Sequence, residues 1–340
     1  MRILFFLLFF CIGNKSFSQD SISIAPGTDD LNRYTIFLKG EFHNHKADNE
    51  HSFRLLAQYL YTHNNVRYLV FEWGPDFIYL ANRYLQTQND LILFKNNLFF
   101  SKAFWDTLVS HNRYKPSNEK IKIAGFDFNR SVFTARAFRE MMKGKPVLNN
   151  SSIRSVIEKV IHWEIVPWTW DGQNEFVEQM KALRFLCKDR NSFLEAYFGE
   201  DWPSFFAIIN HDVESMPMVK RDKKAIGYVK EFLAKKGEGN VLFNLGVAHT
   251  FLNGGGIGNF LQRDEKYRDK VCSIYPYHNI PNPEKEKGQQ VQDENLPSQF
   301  LAELQTTAPY SLINMVQRGI YPKTYKKTQW VYVIPKVKQP

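Results

Sequence analysis

The sequence predicts an α/β fold in which a mainly parallel central sheet is flanked by helices and carries a helical insertion. Two observations predict it. Short apolar runs rich in β-branched and aromatic residues recur along the chain, and stretches with the spacing of amphipathic helices lie between them. Strands that alternate with helices favour a parallel sheet that is covered on both faces.

Six strands are expected, at residues 34–38, 67–71, 120–126, 240–245, 270–275 and 330–334. Seven helices are expected, at residues 50–62, 77–85, 102–111, 132–142, 153–163, 174–187 and 223–235. Residues 145–218 contain several helical segments and no convincing strand, which indicates a helical insertion or cap. Residues 282–298 are rich in Pro, Glu, Lys and Gln, so we expect an exposed loop before the last strand.

Residues 1–18 have the parts of a secretory signal peptide. Arg2 precedes an apolar run from Ile3 to Ile12, and polar residues with Ser16 and Ser18 follow it. The run has about half of the roughly 20 residues that a membrane-spanning helix needs. We therefore expect cleavage after Ser18 and export to the periplasm or the medium, with no transmembrane segment in the mature chain.

The cysteines indicate neither a lipid anchor nor a disulfide framework. Cys11 lies inside the apolar run and lacks the small residues that precede a lipoprotein cysteine. The mature chain keeps Cys187 and Cys272, which are too few for a disulfide framework or a thiolate metal site. Because 44% of the residues are hydrophobic, residues 19–340 are expected to form one α/β domain around a large core.

The chain is basic, and its formal charge of +9 falls to +7 when Arg2 and Lys15 leave with the signal peptide. Basicity alone indicates anionic partners such as nucleic acid. The basic residues are scattered or lie in short runs, however, and no basic stripe is interleaved with aromatic residues. We therefore expect no nucleic-acid partner.

Polar side chains follow four of the expected strands. The first strand is followed by Glu41 and His43, the second by Glu72, the third by Asp127 and a later one by His249. The carboxyl ends of parallel strands meet at one edge of a sheet, which is where open sheets of this kind bind ligands. We expect these residues to converge as one polar site.

Each of these residues has a structural alternative when it is considered alone. Asp127 could cap the helix that follows it, and Glu72 could pair with an arginine. Burying several unpaired acids would cost kilocalories per group, so a functional role accounts better for all of them together.

Two kinds of chemistry fit this set of side chains. A histidine beside two carboxylates can act as a general base that activates water, while one carboxylate orients the ring. Neutral imidazole and carboxylate oxygens can instead bind zinc or manganese. The residues thus leave the cofactor open between none and a divalent metal.

Other motifs carry less weight. His45 and His51 are expected to be solvated, and residues 253–256, which read Asn-Gly-Gly-Gly, are expected to form a flexible loop beside His249. The sequence has no Gly-x-Ser-x-Gly motif, which argues against a serine hydrolase of the common α/β type.

At these positions the sequence resembles the erythromycin esterase-like family. The matching positions, between about residue 34 and residue 260, are Gly40-Glu41-Phe42-His43, Glu50, Arg54, Phe71-Glu72, Asn82-Arg83-Tyr84, Gly125-Phe126-Asp127, Arg221-Asp222 and Gly246-Val247-Ala248-His249. The family usually places its first histidine one residue later, so either His43 or His45 can take that part. Gly246 stands where the family has the first histidine of its second motif.

The resemblance implies a hydrolase that cleaves an ester or lactone in a small-molecule substrate. It implies that His43 activates water and that Glu41 and Glu72 orient the water or the ring. It also implies that His249 or Arg221 stabilises the developing oxyanion.

A second resemblance leaves two alternatives open. Residues 40–43 and 246–249 both read Gly-x-x-His, a pair that is similar to the Tiki-type metalloproteases and to haem-binding lipoproteins of the same wider superfamily. This likeness implies a metal-dependent hydrolase or protease that acts on a peptide, or a haem- or ligand-binding protein. A hydrolase without metal is the first hypothesis, a metal-dependent hydrolase the second, and haem or ligand binding the third.

Overall fold

The computed structural model describes residues 22–24, 29–41, 46–89, 100–163, 170–213, 218–279, 304, 307, 310–316 and 328–335. The expected signal peptide, residues 1–18, and the expected loop at residues 282–298 lie outside the described residues. Among the residues described, no helix combines the length and the hydrophobicity that crossing a bilayer requires.

The described strands form one sheet of eight, which confirms the predicted α/β fold. They are β1 (Ser23–Ile24), β2 (Ile36–Glu41), β3 (Val66–Phe71), β4 (Lys122–Gly125), β5 (Asn240–Gly246), β6 (Val271–Asn279), β7 (Ser311–Asn314) and β8 (Trp330–Pro335). Their order in the sheet is β1-β7-β8-β6-β2-β5-β3-β4. Every neighbouring pair is parallel except β7 and β8, so β1 and β7 run against the other six strands.

The described helices follow and separate the strands. They are α1 (Lys46–His63), α2 (Pro75–Thr87), α3 (Lys102–Asn112), α4 (Ser131–Met142), α5 (Ser151–His162), α6 (Trp170–Cys187), α7 (Asn191–Phe198), α8 (Trp202–Asn210), α9 (Met218–Lys235), α10 (Val247–Thr250) and α11 (Ile257–Arg263). All seven expected helices and all six expected strands are present. Strands β1 and β7 and the short helices α10 and α11 were not expected from the sequence.

Helices cover the sheet on both faces. On one face, Phe37 of β2 packs in the largest apolar cluster, together with Phe53 of α1. On the other face, the neighbouring Ile36 packs with Val229 of α9 and Leu261 of α11. Consecutive strand residues thus point into opposite cores, which is why the parallel strands read as continuous apolar runs.

Residues 145–218 were expected to form a helical insertion or cap. The described part of this stretch contains α5 to α8, and its one described β contact is the isolated bridge of Val213 to Asn129. Ile157, Leu183 and Phe205 of these helices belong to the same apolar cluster as α1. The reading of this stretch as a cap stays a prediction.

Strand register brings four carboxyl ends to the same level. Glu41, the last residue of β2, is paired with Gly246, the last residue of β5. Phe71, the last residue of β3, is paired with Asn244 of β5 and with Gly125, the last residue of β4. Side chains that follow β2, β5, β3 and β4 therefore meet along one edge.

The chain changes direction across the sheet at this edge. From β2 it proceeds through β3 to β4 on one side, then returns to insert β5 between β2 and β3, and continues to β6 on the other side of β2. In open parallel sheets, such a change in strand order leaves a crevice beyond the carboxyl ends of the strands.

Candidate functional site

Four of the six residues that the sequence singled out lie at this edge. Glu41 ends β2, Glu72 directly follows β3, Asp127 comes two residues after β4, and His249 lies in the short helix α10 directly after β5. The charges of the other three residues all act on the carboxylate of Glu72. The expected convergence therefore places Glu72 at the centre of the cluster.

Glu72 and His249 face each other within the cluster. Oε1 of Glu72 lies 3.7 Å from Nε2 of His249, and the two side chains are 22% and 30% exposed. This distance suits an ion pair and exceeds that of a hydrogen bond. The backbone N–H of Gly246 donates a hydrogen bond to the Glu72 carboxylate, which ties it to the end of β5.

The surroundings of Glu72 favour its neutral form. Burial raises the pKa of Glu72, and the negative charges of Glu41 and Asp127 raise it further, whereas His249 and the N–H of Gly246 lower it. A carboxyl group with a raised pKa that lies beside an imidazole is an arrangement that enzymes use for acid–base chemistry. The arrangement is therefore suited to proton transfer.

Glu41 is held by a neighbour that the sequence analysis did not single out. Nδ2 of Asn244, on β5, donates a short hydrogen bond to Oε2 of Glu41. On the other side of the same amide, Oδ1 of Asn244 accepts a hydrogen bond of 3.3 Å from Nζ of Lys39. Asn244 therefore lies between an ammonium group and a carboxylate.

Lys39 was also missed, and it is fully buried in the middle of β2. Its Nζ donates to the carbonyl oxygen of Gly40 at 3.3 Å and lies 5.9 Å from the centre of the Phe53 ring. Burial lowers the pKa of Lys39 to about 8, and the negative charge of Glu41 acts in the opposite direction. The available signal was a lysine directly after the expected strand at residues 34–38, in a sheet that was expected to be covered on both faces.

A close backbone approach sets the ends of β3 and β4 beside each other. The backbone N–H of Asp127 donates to the carbonyl oxygen of Trp73 at 3.1 Å. A Cβ atom on Gly125 would stand 2.2 Å from the same oxygen. Only a glycine at position 125 therefore allows the backbone of Trp73 to lie this close to the end of β4.

The loops that carry Glu72 and Asp127 are joined by the buried side chain of Asp76. Its Oδ1 accepts from the N–H of Phe77 at 2.8 Å, and its Oδ2 accepts from the N–H of Arg130 at 2.8 Å and from Oγ1 of Thr134 at 2.9 Å. Burial raises the pKa of Asp76 to about 7, although these donors oppose the shift. The side chain that accepts hydrogen bonds from the beginning of α4 is thus Asp76, which lies in α2.

The glycine-rich residues 253–256 lie beside His249, as expected. A Cβ atom on Gly256 would stand 2.7 Å from the Cα of His249, so the loop folds back tightly onto α10. Oγ of Ser273, on β6, donates to the carbonyl oxygen of Thr250 at 2.8 Å and holds the end of α10 against the sheet. These contacts fix the backbone on which His249 stands.

The remaining expected residues cannot be placed as side chains. His43 and His45 lie outside the described residues, and Arg221 lies in α9 at a position whose side chain is not described. His211 lies beside the site. Its Nε2 lies 2.8 Å from the carbonyl oxygen of Asp127, and its ring stacks on Tyr228.

The described side chains can be tested for a metal site. Among them, no three His, Cys, Asp or Glu residues come together in an arrangement that could hold an ion. His43 and His45 are not part of that set, so the divalent-metal alternative stays a prediction.

Comparison with known proteins yields structural likenesses. No protein-family model and no curated protein sequence matches the chain. A mutant of the erythromycin esterase EreC in its open conformation superposes with a TM-score of 0.54 at 11% identity, covering 91% of this chain and 92% of that chain. The likeness shows a shared fold and confirms, at the level of the fold, the resemblance stated from the motifs.

Two further solved structures are similar over parts of the chain. A succinoglycan biosynthesis protein has a TM-score of 0.46 at 14% identity, covering 73% of this chain and 67% of that chain. ChaN of Campylobacter jejuni, solved with cofacial haem, has a TM-score of 0.33 at 15% identity, covering 74% of this chain and 85% of that chain.

Proposed function

We propose that the protein is a hydrolase of the esterase kind, which cleaves an ester or lactone at the carboxyl edge of β2, β5, β3 and β4. The observation that carries this proposal is the pair of Glu72 and His249, whose facing atoms are 3.7 Å apart. The fold shared with an erythromycin esterase supports the same reaction class. Glu41 and Asp127 complete the site on the two flanking strands.

The chemistry needs one group that accepts a proton and one that donates it. We assign the first part to His43, which follows β2 by two residues and takes a proton from the attacking water. His249 takes the second part, because it faces Glu72, whose carboxyl group in its ionised form stabilises the charged imidazolium. That imidazolium donates its proton to the departing alkoxide, and exchange with solvent then restores both histidines.

The remaining residues orient and stabilise. Glu41, held by Asn244, orients the water or the His43 ring. Asp127 places a second negative charge near Glu72 and so helps to raise its pKa. Arg221 of α9 is assigned to the oxyanion that forms when water adds to the carbonyl carbon. The substrate is proposed to be a small molecule, with a peptide as the alternative.

Export is part of the proposal, through a signal peptide that ends at Ser18. N-terminal sequencing of the protein recovered from the periplasm or the medium of an expressing bacterium tests it. The expected first residue is Gln19, and a chain that retains Met1 would contradict the assignment.

The activity is tested by a screen of esters, lactones and peptides against the mature protein, with and without a chelator. We expect ester or lactone cleavage that survives chelation. His43→Ala and His249→Gln should each lower kcat by at least about a hundredfold, in line with the usual contribution of an acid or base. His162→Ala, at an exposed position in the last turn of α5, is the control and should retain full activity.

The same screen separates the metal-dependent alternative. Activity that is lost with chelator and returns with zinc or manganese would replace the metal-free mechanism by a metal-dependent one, and elemental analysis of the purified protein would then show a stoichiometric ion. Saturable haem uptake with a Soret band, and no turnover of any substrate, would contradict a hydrolase.

A further inference from the structure

A buried lysine lies directly beneath the candidate site. Lys39 lies two residues after Phe37 in β2 and therefore points to the same face, which α1 covers, where its exposure is 0%. Burying an ammonium group is costly unless other groups compensate its charge. A methionine or leucine would fill the same space without that cost, so a stability role does not account for the lysine.

The contacts of Lys39 point toward the site. Among the described residues its hydrogen-bond acceptors are the carbonyl oxygen of Gly40 and Oδ1 of Asn244, both neutral oxygens at 3.3 Å. The charge that acts favourably on it is that of Glu41, two residues along the same strand. The ammonium group and this carboxylate are connected through the Asn244 side chain.

The Asn244 amide can satisfy both neighbours in one orientation only. An ammonium group donates hydrogen bonds and accepts none, whereas a carboxylate accepts and does not donate. The amide oxygen must therefore face Lys39 while the amide NH2 faces Glu41, and a flip of the amide would break both hydrogen bonds. Lys39 thereby fixes the direction of the donor that holds Glu41.

We propose that Lys39 is a positioning residue of the site, which acts through Asn244 to hold the Glu41 carboxylate in place and supplies a buried positive charge near it. The titratable groups of the described residues at this cluster are Glu41 at the end of β2, Glu72 after β3, Asp127 after β4 and His249 after β5. His211 adjoins them, with its Nε2 2.8 Å from the carbonyl oxygen of Asp127. The catalytic consequence rests on the proposed hydrolase function, whereas the link from Lys39 to Glu41 does not.

The test uses the full mature chain and three variants. Lys39→Met removes the charge at similar volume, and Asn244→Leu removes the connecting amide at similar volume. Lys122→Met is the matched control, because Lys122 also lies in a strand but is exposed at the beginning of β4. For each protein the Glu41 carboxyl group is titrated by carbon-13 NMR, unfolding is followed in urea at pH 7, and kcat and KM are measured on an ester found in the screen.

The expected result separates positioning from stability. In Lys39→Met and Asn244→Leu, the Glu41 midpoint moves to higher pH, because each change removes a group that favours the ionised carboxylate. Their kcat falls by about tenfold to a hundredfold while KM changes by less than about twofold. The urea midpoint of Lys39→Met is unchanged or higher, and Lys122→Met resembles the wild type throughout.

Two results would overturn the proposal. One is a Glu41 titration that is the same in Lys39→Met, Asn244→Leu and the wild type. The other is a Lys39→Met protein that loses its fold, or whose lower kcat matches its lower folded fraction, since Lys39 would then be a structural residue. If the wild type cleaves no ester, the proposed function fails, and the Glu41 titration and the urea midpoint still decide the role of Lys39.

Discussion

The replacement Asp76→Asn should destabilise the protein strongly at pH 5 and much less at pH 8. The fully buried Asp76 carboxyl group accepts hydrogen bonds from two backbone N–H groups and one hydroxyl, at 2.8 to 2.9 Å. An asparagine has one acceptor oxygen, so its NH2 group must face at least one of these donors. A buried donor without an acceptor costs about 1–3 kcal/mol, and a lost helix cap about 1 kcal/mol. We therefore expect a loss of about 2–4 kcal/mol at pH 5.

The pH dependence follows from the raised pKa of Asp76, which moves from 3.8 to about 7 because of burial. A carboxyl group whose folded pKa is raised gives its full stabilisation below its unfolded pKa and loses it as the pH rises through the folded pKa. The stabilisation that is lost over the whole titration amounts to roughly 4 kcal/mol, and roughly 3 kcal/mol of it is lost between pH 5 and pH 8. Asparagine does not titrate, so the difference between wild type and variant should narrow by roughly 3 kcal/mol over this range.

Urea denaturation followed by circular dichroism at pH 5, 6, 7 and 8 measures this difference. Asp189→Asn, at an exposed position after α6, serves as the control and should change stability by less than about 0.5 kcal/mol at every pH. A difference for Asp76→Asn that stays constant or widens toward pH 8 would refute the reasoning, because it would mean that the buried carboxylate is ionised and stabilised by its donors throughout.

Three further predictions concern the site. Glu72→Gln should abolish turnover and yet raise the thermal midpoint at pH 8, because the raised pKa of Glu72 means that its ionised form opposes folding as the pH rises; a lower midpoint would contradict this. Gly125→Ala should lower the free energy of unfolding in urea by about 1–3 kcal/mol, because its Cβ would stand 2.2 Å from the Trp73 carbonyl oxygen. Gly227→Ala, in α9 with open space around it, should raise that free energy by about 0.5–1 kcal/mol. Equal effects of the two replacements would refute the close approach. Finally, the acidic cluster should disfavour anionic substrates, so a neutral or cationic ester should show a lower KM than its carboxylated analogue at low salt, and the reverse order would place the substrate elsewhere.

The parts of the fold that could be predicted are the strands whose own sequence has a recognisable apolar pattern. Strands such as β3 and β5 are buried on both faces and therefore appear as apolar runs in the sequence. The residues that follow such strands lie at the carboxyl edge of the sheet, independently of how the helices pack. The two-residue β1 and the four-residue β7, Ser311–Asn314, carry no comparable pattern. β7 takes its place by pairing with β8 and β1 by pairing with β7, and sequence spacing reveals neither pairing.

The parts of the site that could not be predicted depend on side chains meeting across elements. Glu41 and His249 are found by examining the residues that follow the expected strands. The roles of Lys39 and Asn244 depend on their meeting each other across β2 and β5. Asp76 has the position of an acidic residue in the first turn of its own helix, α2. Its contacts with the first turn of α4 follow from the packing of two helices, which the spacing of residues in one helix does not determine.

The late position of β5 in the chain has a consequence for synthesis and folding. Lys39 and Asn244 pair in adjacent strands although 205 residues separate them. Until β5 emerges, β2 and β3 each have an unsatisfied hydrogen-bonding edge, and no site can exist because its central strand is missing. Pairing between strands so distant in the sequence slows folding, because a long loop must close before the contacts form. The strand that completes the candidate site is thus also the one that commits the chain to its fold.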